Sequence, residues 1–289
     1  MFSRRKPPAR GAEAPQRTPS GYHQEDWQSY GHVAEVYERV TAERTAQPAR
    51  DLVALAGVEP GHRVLDVGTG TGVAAVAAME RVGAQGMVVG VDPARKMLAL
   101  ALPKHPEVRY VVGEALDLPF RGGAFDAVIG NFVVAQFNRY ETALHDMLRT
   151  LRAQGVLALS NWAPSEDTFS RAWREVAEGL VGRELFRDAM RRAAPWESHF
   201  SDPERFEETL KRAGLRQVRV ERRDYRFQMS LESYLEGAET RLAARSLHRI
   251  MGDAIWERFR ERVREEFGAR FRDPIGDTRE VWFGLGRKE

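Results

Sequence analysis

Val64-Leu65-Asp66-Val67-Gly68-Thr69-Gly70-Thr71-Gly72 is the stretch that decides the fold. Residues 64–67 have the apolar, β-branched composition of a buried parallel strand. Three glycines then alternate with two threonines, and a run of small residues suited to a helix follows at 73–78. A strand, a glycine turn and a helix start bring backbone N–H groups up to a ligand, because no Cβ blocks the approach. Such a turn suits a nucleotide-like ligand at the carboxyl end of a sheet. A second apolar run, 87–91, closes on Asp92-Pro93, 20 residues after Gly72. A carboxylate at that strand tip can accept both hydroxyl protons of a ribose. Asp before Pro is equally a helix start, and the two roles are compatible.

The run Asp66-x-Gly68-x-Gly70-x-Gly72 followed by Asp92 resembles the first two motifs of the class I S-adenosylmethionine-dependent methyltransferases. Three further segments agree in order: Gly113-Glu114-Ala115-Leu116-Asp117-Leu118-Pro119-Phe120 after strand three, Phe125-Asp126-Ala127-Val128-Ile129-Gly130-Asn131 as strand four, and residues 144–159 as a helix, turn and strand. The resemblance spans about residues 27–160. It is nearest in pattern to the ubiquinone/menaquinone-biosynthesis C-methyltransferase group, whose leading helix resembles Tyr30…Ala34-x-x-Tyr37. It implies S-adenosyl-L-methionine as cofactor and a binding set of Asp66, Gly68, Thr69, Gly70, Gly72, Asp92, Pro93, Met97, Glu114, Ala115, Asn131 and Phe132. Within that set Asp66 receives the ammonium group, directly or through water, or else caps the turn's own amides. Glu114 accepts from the adenine amine. Asp126 supports the start of its strand and carries no chemistry.

On the acceptor side the resemblance points to Tyr30, Tyr37, Gln136 and Trp196. Tyr30 and Tyr37 are equally consistent with core packing, and Trp196, His199 and Phe200 with packing at a hinge. A general base is needed only for an acceptor that arrives protonated. His199, His32 and His23 are the candidates. The chain departs from the family where many relatives carry a histidine after strand four: Ala135-Gln136 stands there, and glutamine cannot act as a base. Asn131-Phe132-Val133-Val134 also lacks the Asn-Pro-Pro-aromatic element of enzymes acting on exocyclic amines, which argues against nucleic-acid or protein-amide acceptors. A small-molecule acceptor is expected.

Gly70-Thr71-Gly72-Val73-Ala74-Ala75 also fits the Gly-x-Gly-x-x-Ala dinucleotide fingerprint, with Asp92 suitably placed. An NAD(P)-dependent oxidoreductase is therefore the alternative, and a cofactor-binding protein without transferase activity is a third reading. Against the oxidoreductase, Gly68 and Thr69 intervene between strand and fingerprint.

The 289 residues are 43% hydrophobic and 30% charged, enough for a sizeable core, and no run approaches a membrane span. The first residues lack the apolar region of a signal peptide. With no cysteine there are no disulfides, thiolate nucleophiles or cysteine metal sites, and no metal is expected; a cytoplasmic location fits. A net charge of +2 is too small to imply nucleic acid. The sequence leaves the oligomeric state open.

Residues 1–20 read as a disordered basic tail, with Arg4, Arg5, Lys6, Arg10 and Arg17 against Glu13. Residues 21–60 read as a helical lid, one helix over about 26–44 and a second from about 47 to Gly57. Residues 61–289 read as the main domain, with helical insertions at about 163–200 and 231–275. Its βα alternation predicts an α/β class, a Rossmann-like doubly wound sheet of seven strands, mostly parallel with an antiparallel last strand. Late strands are expected over 215–229 and 278–285, and a capping box at residues 201–204.

Overall fold

Short runs of β-branched and small apolar residues place the strands. The computed structural model describes residues 30–164, 167–193 and 195–289. In β1 (Arg63–Val67), β2 (Met87–Asp92) and β4 (Phe125–Asn131) nearly every side chain is buried, as strands covered on both faces require. With β3 (Arg109–Val112), β5 (Leu151–Trp162), β6 (Leu215–Met229) and β7 (Ile275–Lys288) they form one seven-stranded sheet, ordered β3-β2-β1-β4-β5-β7-β6. The first five strands run parallel, and β7 lies antiparallel between β5 and β6. The order reverses at β1 and β4, so ligands are expected at the carboxyl ends of those strands.

Helices cover both faces. On one, α2 (Ala42–Leu55) and α3 (Val73–Val82) pack Leu52, Val53 and Ala78 against Val64, Ile129 and Phe283. Helix α4 (Arg95–Lys104) follows β2. On the other face, α5 (Tyr140–Thr150) and α9 (Pro203–Arg212) pack Leu144, Met147, Phe206 and Leu210 against Leu65, Val128 and Leu159. Gly284 in β7 leaves room for this layer. A Cβ there would stand 2.6 Å from the buried Phe206 ring and 2.9 Å from Leu210. Gly284→Ala is expected to destabilise the fold by about 1–3 kcal/mol, read from urea unfolding. A variant as stable as wild type would show that this layer yields freely.

The two insertions build a single unit. Helices α6 (Thr168–Val181) and α7 (Arg183–Ala193) come from the first, and α10 (Leu231–Glu239), α11 (Leu242–Met251) and α12 (Asp253–Arg270) from the second. They share one core of Ala177, Phe186, Tyr234, Leu247, Phe259 and Phe267. The short α8 (Glu197–Phe200) leads back to the sheet.

Three local expectations are corrected. The lid is not two separate helices. Helix α1 (Tyr30–Val36) passes through a π-helical turn, Tyr37–Thr41, straight into α2. Pro48 lies buried inside α2, where its missing N–H costs one ladder bond. Burial of Ala49, Leu52 and Val53 against the sheet offsets that cost. The cap of α9 is Asp202 alone, whose Oδ1 accepts from Glu204 and Arg205 N–H at 3.0 and 3.1 Å, while Ser201 is buried. Strand β7 is longer than expected at both ends, because β6 pairs with it from Leu215 to Met229. The basic tail lies outside the described residues. Among the described residues no helix is long and apolar enough to cross a membrane.

Candidate functional site

The glycine turn follows β1 at the switch in strand order. Gly68, Gly70 and Gly72 all have positive φ, at 72°, 55° and 93°. A side chain on Gly68 would run into Val133, and one on Gly72 would come within 2.5 Å of the Tyr110 hydroxyl. A Cβ on Gly70 would meet nothing within 4 Å. Two of the glycines are therefore needed by the fold, and Gly70 faces open space.

The turn's own amides are mostly spent, contrary to the expectation that they point at a ligand. Gly68 and Thr69 N–H both donate to Val91 O, at 2.8 and 3.1 Å, and Gly72 N–H donates to Thr69 O at 2.8 Å. Gly70 N–H donates to Asp92 Oδ2 at 2.9 Å. Asp92 Oδ1 accepts from Ala94 N–H at 2.8 Å, so Asp92 does cap the next helix. Burial raises the Asp92 carboxyl, and these two amides pull it back down. Each of its oxygens still has a lone pair to offer.

Asp66 is fully enclosed. Its Oδ2 accepts from the Thr69 hydroxyl at 2.7 Å, while Oδ1 is buried without a hydrogen-bond partner. Burial pushes its pKa up to about 7, with Thr69 opposing, Asp92 adding repulsion and the nearby Ala75 amide opposing. An acid lifted in this way favours the fold below about pH 4, and that contribution is lost as pH rises through about 7. A cation on a ligand would supply what Oδ1 lacks. A phosphate at the same helix start would instead face the Asp66 charge.

Around this pair lie the other expected residues. Met97 is buried with Ala94 against Ala34 of α1, and Tyr37 packs on that cluster, so α1 lies over the start of α4. Pro93 is half-buried. Glu114 and Ala115 are also half-buried, in a tight turn where Asp117 N–H donates to Glu114 O at 3.2 Å. Asn131 ends β4, its Oδ1 accepting from Ser160 Oγ at 2.7 Å. Phe132 holds a strained positive φ of 56°, and its N–H donates to Ser160 O and Oγ at 3.2 and 3.0 Å. Its ring stacks on Trp162, centroids 4.0 Å apart. Asp126 is structural: its Oδ2 accepts from Arg63 N–H at 2.7 Å, and Arg152 pairs with Oδ1 at 2.5 Å.

Several candidates are not brought to this turn. His199 Nε2 shares a hydrogen bond with Thr209 Oγ1 at 2.7 Å, and its ring sits against Tyr140, Trp196 and Phe200. Burial and then the Arg205 charge lower its pKa. That surrounding is the hinge packing onto α5 and α9. Trp196 belongs to the same cluster, its Nε1 donating to Asn138 O at 3.4 Å. Gln136 is exposed and donates from Nε2 to Phe132 O at 2.8 Å, which holds the loop after β4. Tyr30 and His32 fall on α1, and His23 lies outside the described residues.

Sequence reading missed Trp162 and Ser160. Both could have been found, since residues closing a strand beside β4 share its ligand edge.

Residues 64–155 match a family profile described as a methyltransferase domain. A second profile, for protein-L-isoaspartate(D-aspartate) O-methyltransferase, matches residues 19–105. A demethylmenaquinone methyltransferase of Thermus thermophilus is 42% identical over 120 residues, 40% of this chain and 54% of that protein. The nocamycin O-methyltransferase of Saccharothrix syringae is 29% identical, over 66% of this chain and 72% of its own length. The chain spans about half the length of the first relatives it matches, 54% and 55%. In fold, it is similar to Haemonchus contortus phosphoethanolamine N-methyltransferase 2 solved with S-adenosyl-L-methionine, at TM-score 0.58 and 17% identity, covering 96% of this chain and 62% of that one.

Proposed function

We propose that residues 64–155, which match a methyltransferase-domain profile, form a domain of the class I, S-adenosylmethionine-dependent kind, and that this chain moves a methyl group from S-adenosylmethionine to a small organic acceptor. One observation carries the reading: a glycine turn with the amides of Gly68, Thr69, Gly70 and Gly72 already bonded stands beside a buried carboxylate oxygen that has no partner. S-adenosylmethionine is a cationic nucleoside without phosphate. It asks for a carboxylate and a Cβ-free surface rather than for free amides. The same observation counts against a dinucleotide, whose pyrophosphate needs those amides and no neighbouring anion.

In this reading Asp66 takes the ammonium group, Asp92 the ribose hydroxyls and Glu114 the adenine amine. Gly70 provides the open face, and Met97 with the α1 lid closes the cleft. Bound there, S-adenosylmethionine would supply a methyl group activated by its sulfonium for transfer to a nucleophilic acceptor, with S-adenosylhomocysteine as the leaving product. The protein's part is to align the acceptor and exclude water, worth roughly 7–11 kcal/mol in well-oriented reactions. Phe132, which stacks on Trp162, precedes the Val133 side chain that lies against Gly68, so that stack is the surface proposed to orient a flat acceptor. No histidine is assigned as base. A cytoplasmic location remains part of the proposal, supported by the cysteine-free composition.

Thermal unfolding tests the proposal. At 100 times its dissociation constant, S-adenosylhomocysteine is expected to stabilise the protein by about 2.7 kcal/mol. A shift with NADH or NADPH and none with S-adenosylhomocysteine would overturn it. The ammonium contact adds a pH signature. Because Asp66 must be ionised to bind a cation, affinity is expected to rise roughly tenfold from pH 6 to pH 8. Calorimetric titration at pH 6, 7 and 8 checks this, with Asp66→Asn as the variant that loses the dependence. A flat wild-type profile would remove Asp66 from that role.

A further inference from the structure

Helices α2 and α3 converge at their carboxyl ends, where Gly61 N–H donates to Val82 O at 2.8 Å and Leu52 and Val53 share a core with Ala78. Toward their amino ends they part. The side chains lining the gap are Ala42 and Ala46 from α2 and Val73, Val76 and Ala77 from α3, all small. A cavity of about 290 Å³ remains between the helices. Close-packed interiors leave few voids larger than a water molecule, so a gap of this size is a feature of the fold.

The charged groups that line it are unevenly matched. Glu38, from the π-helical turn, is taken by Lys104. Arg50 donates from Nε and Nη2 to Gln47 Oε1, at 3.1 and 2.9 Å, along its own helix. His105 Nδ1 stands 3.6 Å from Glu107. Glu43 on α2 and Glu80 on α3 are exposed and, among the described residues, have no hydrogen-bond or ion-pair partner. The basic groups are thus engaged already, and two carboxylates are left over, one on each helix.

Two exposed carboxylates alone are only a solvated surface. The glycine turn adds a separate observation. Thr71 also lines the cavity, is 3% exposed, and its hydroxyl has no hydrogen-bond partner. Buried hydroxyls are normally bonded, and an orphan in a cavity wall points to something that the cavity holds. The described residues bring no three His, Asp or Glu side chains together as a metal cage. An alanine and valine lining is also a poor neighbour for a hydrated metal ion and a good one for methylene groups.

We propose that this cavity binds a small aliphatic polyamine, its methylene chain on the alanine and valine lining, its ammonium groups on Glu43 and Glu80, and Thr71 at the end beside the glycine turn. An ammonium group has three N–H donors and no acceptor, which suits carboxylates and a hydroxyl oxygen. Two ammonium groups joined by a short chain match carboxylates on two separate helices, as a single ammonium does not. The site is distinct from the Phe132–Trp162 surface, and it stands whether or not the chain transfers methyl groups.

The test is calorimetric titration of the full chain with diaminopropane, putrescine, cadaverine and spermidine. The controls are n-butylamine, butanediol and magnesium chloride. At least one polyamine is expected to bind about threefold or more tighter than n-butylamine and than the diol, which is what one additional ion pair contributes. Glu43→Gln and Glu80→Gln are each expected to remove that preference, with urea unfolding unchanged because both side chains are exposed. Glu184→Gln, at an exposed carboxylate on α7 outside the cavity lining, is expected to leave it intact. No polyamine preferred over n-butylamine overturns the inference. So does a loss from Glu184→Gln as large as that from Glu80→Gln, which would reduce the binding to general surface charge. Magnesium bound more tightly than every polyamine assigns the cavity to a metal ion and overturns the amine.

Discussion

Asp92→Ala is expected to weaken S-adenosylhomocysteine binding by about 10²–10⁴-fold. Two charge-assisted hydrogen bonds to the ribose hydroxyls, at roughly 1.5–3 kcal/mol each, give that range. The same substitution frees the Gly70 amide held at 2.9 Å and the Ala94 amide held at 2.8 Å. Cofactor contact and turn geometry are therefore lost together. Loss of the cap alone would cost only about 1 kcal/mol of stability. Titration and urea unfolding of the same sample separate the two effects. Affinity within threefold of wild type would reduce Asp92 to a cap and return the ribose to another residue.

Gly68→Ala is expected to be the most damaging substitution to stability in the turn. The residue sits at φ 72°, which costs a residue with a Cβ about 1–2 kcal/mol. Its Cβ would also run into Val133, a stiff β-branched side chain that cannot swing aside. Overpacking of that kind adds about 1–3 kcal/mol, for a total of roughly 2–5 kcal/mol. Gly70→Ala is the informative contrast, since nothing lies within 4 Å of the added methyl. At φ 55° it still carries the backbone cost of about 1–2 kcal/mol but not the overlap, so it should lose less stability than Gly68→Ala while impairing cofactor binding. Equal stability loss from both variants would mean that the turn tolerates side chains uniformly and that the Val133 contact does not matter.

The parallel half of the fold was legible because one period and one motif repeat there. Apolar runs close on Asp66, Asp92 and Asn131, and helices return between them. The boundaries of β6 were readable from the alternation around Val218 and Val220. The lid was harder. Sequence separates a helix ending near 44 from one starting near 47, and the burial of Ala49, Leu52 and Val53 explains why the helix runs through Pro48. Asp66 and Asp92 could be named from sequence, but the bonds that spend the turn's amides could not, since they depend on Val91 lying opposite the turn. Sequence leaves His199 open between a base candidate and hinge packing, because it does not reveal Thr209 across the hinge. Arg44 and Asp277 are separated by a long stretch of chain, yet they pair. Only the sheet register, which sets Phe227 opposite Asp277 and Tyr225 opposite Arg279, gathers that end of the fold.

That register has a mechanical side. Strands β6 and β7 are paired from Leu215–Lys288 at one end of the sheet to Met229–Ile275 inside the helical unit. A ribbon paired over that length behaves as a beam rather than a hinge, and lifting the helical unit would mean bending it. The stiff side of the molecule is thus fixed by the beam, and compliance is left to α1 and its π-helical turn, Tyr37–Thr41. In the proposed methyl-transfer reading, cofactor and acceptor would enter on the side of α1, with the paired β6–β7 ribbon as the side that does not yield.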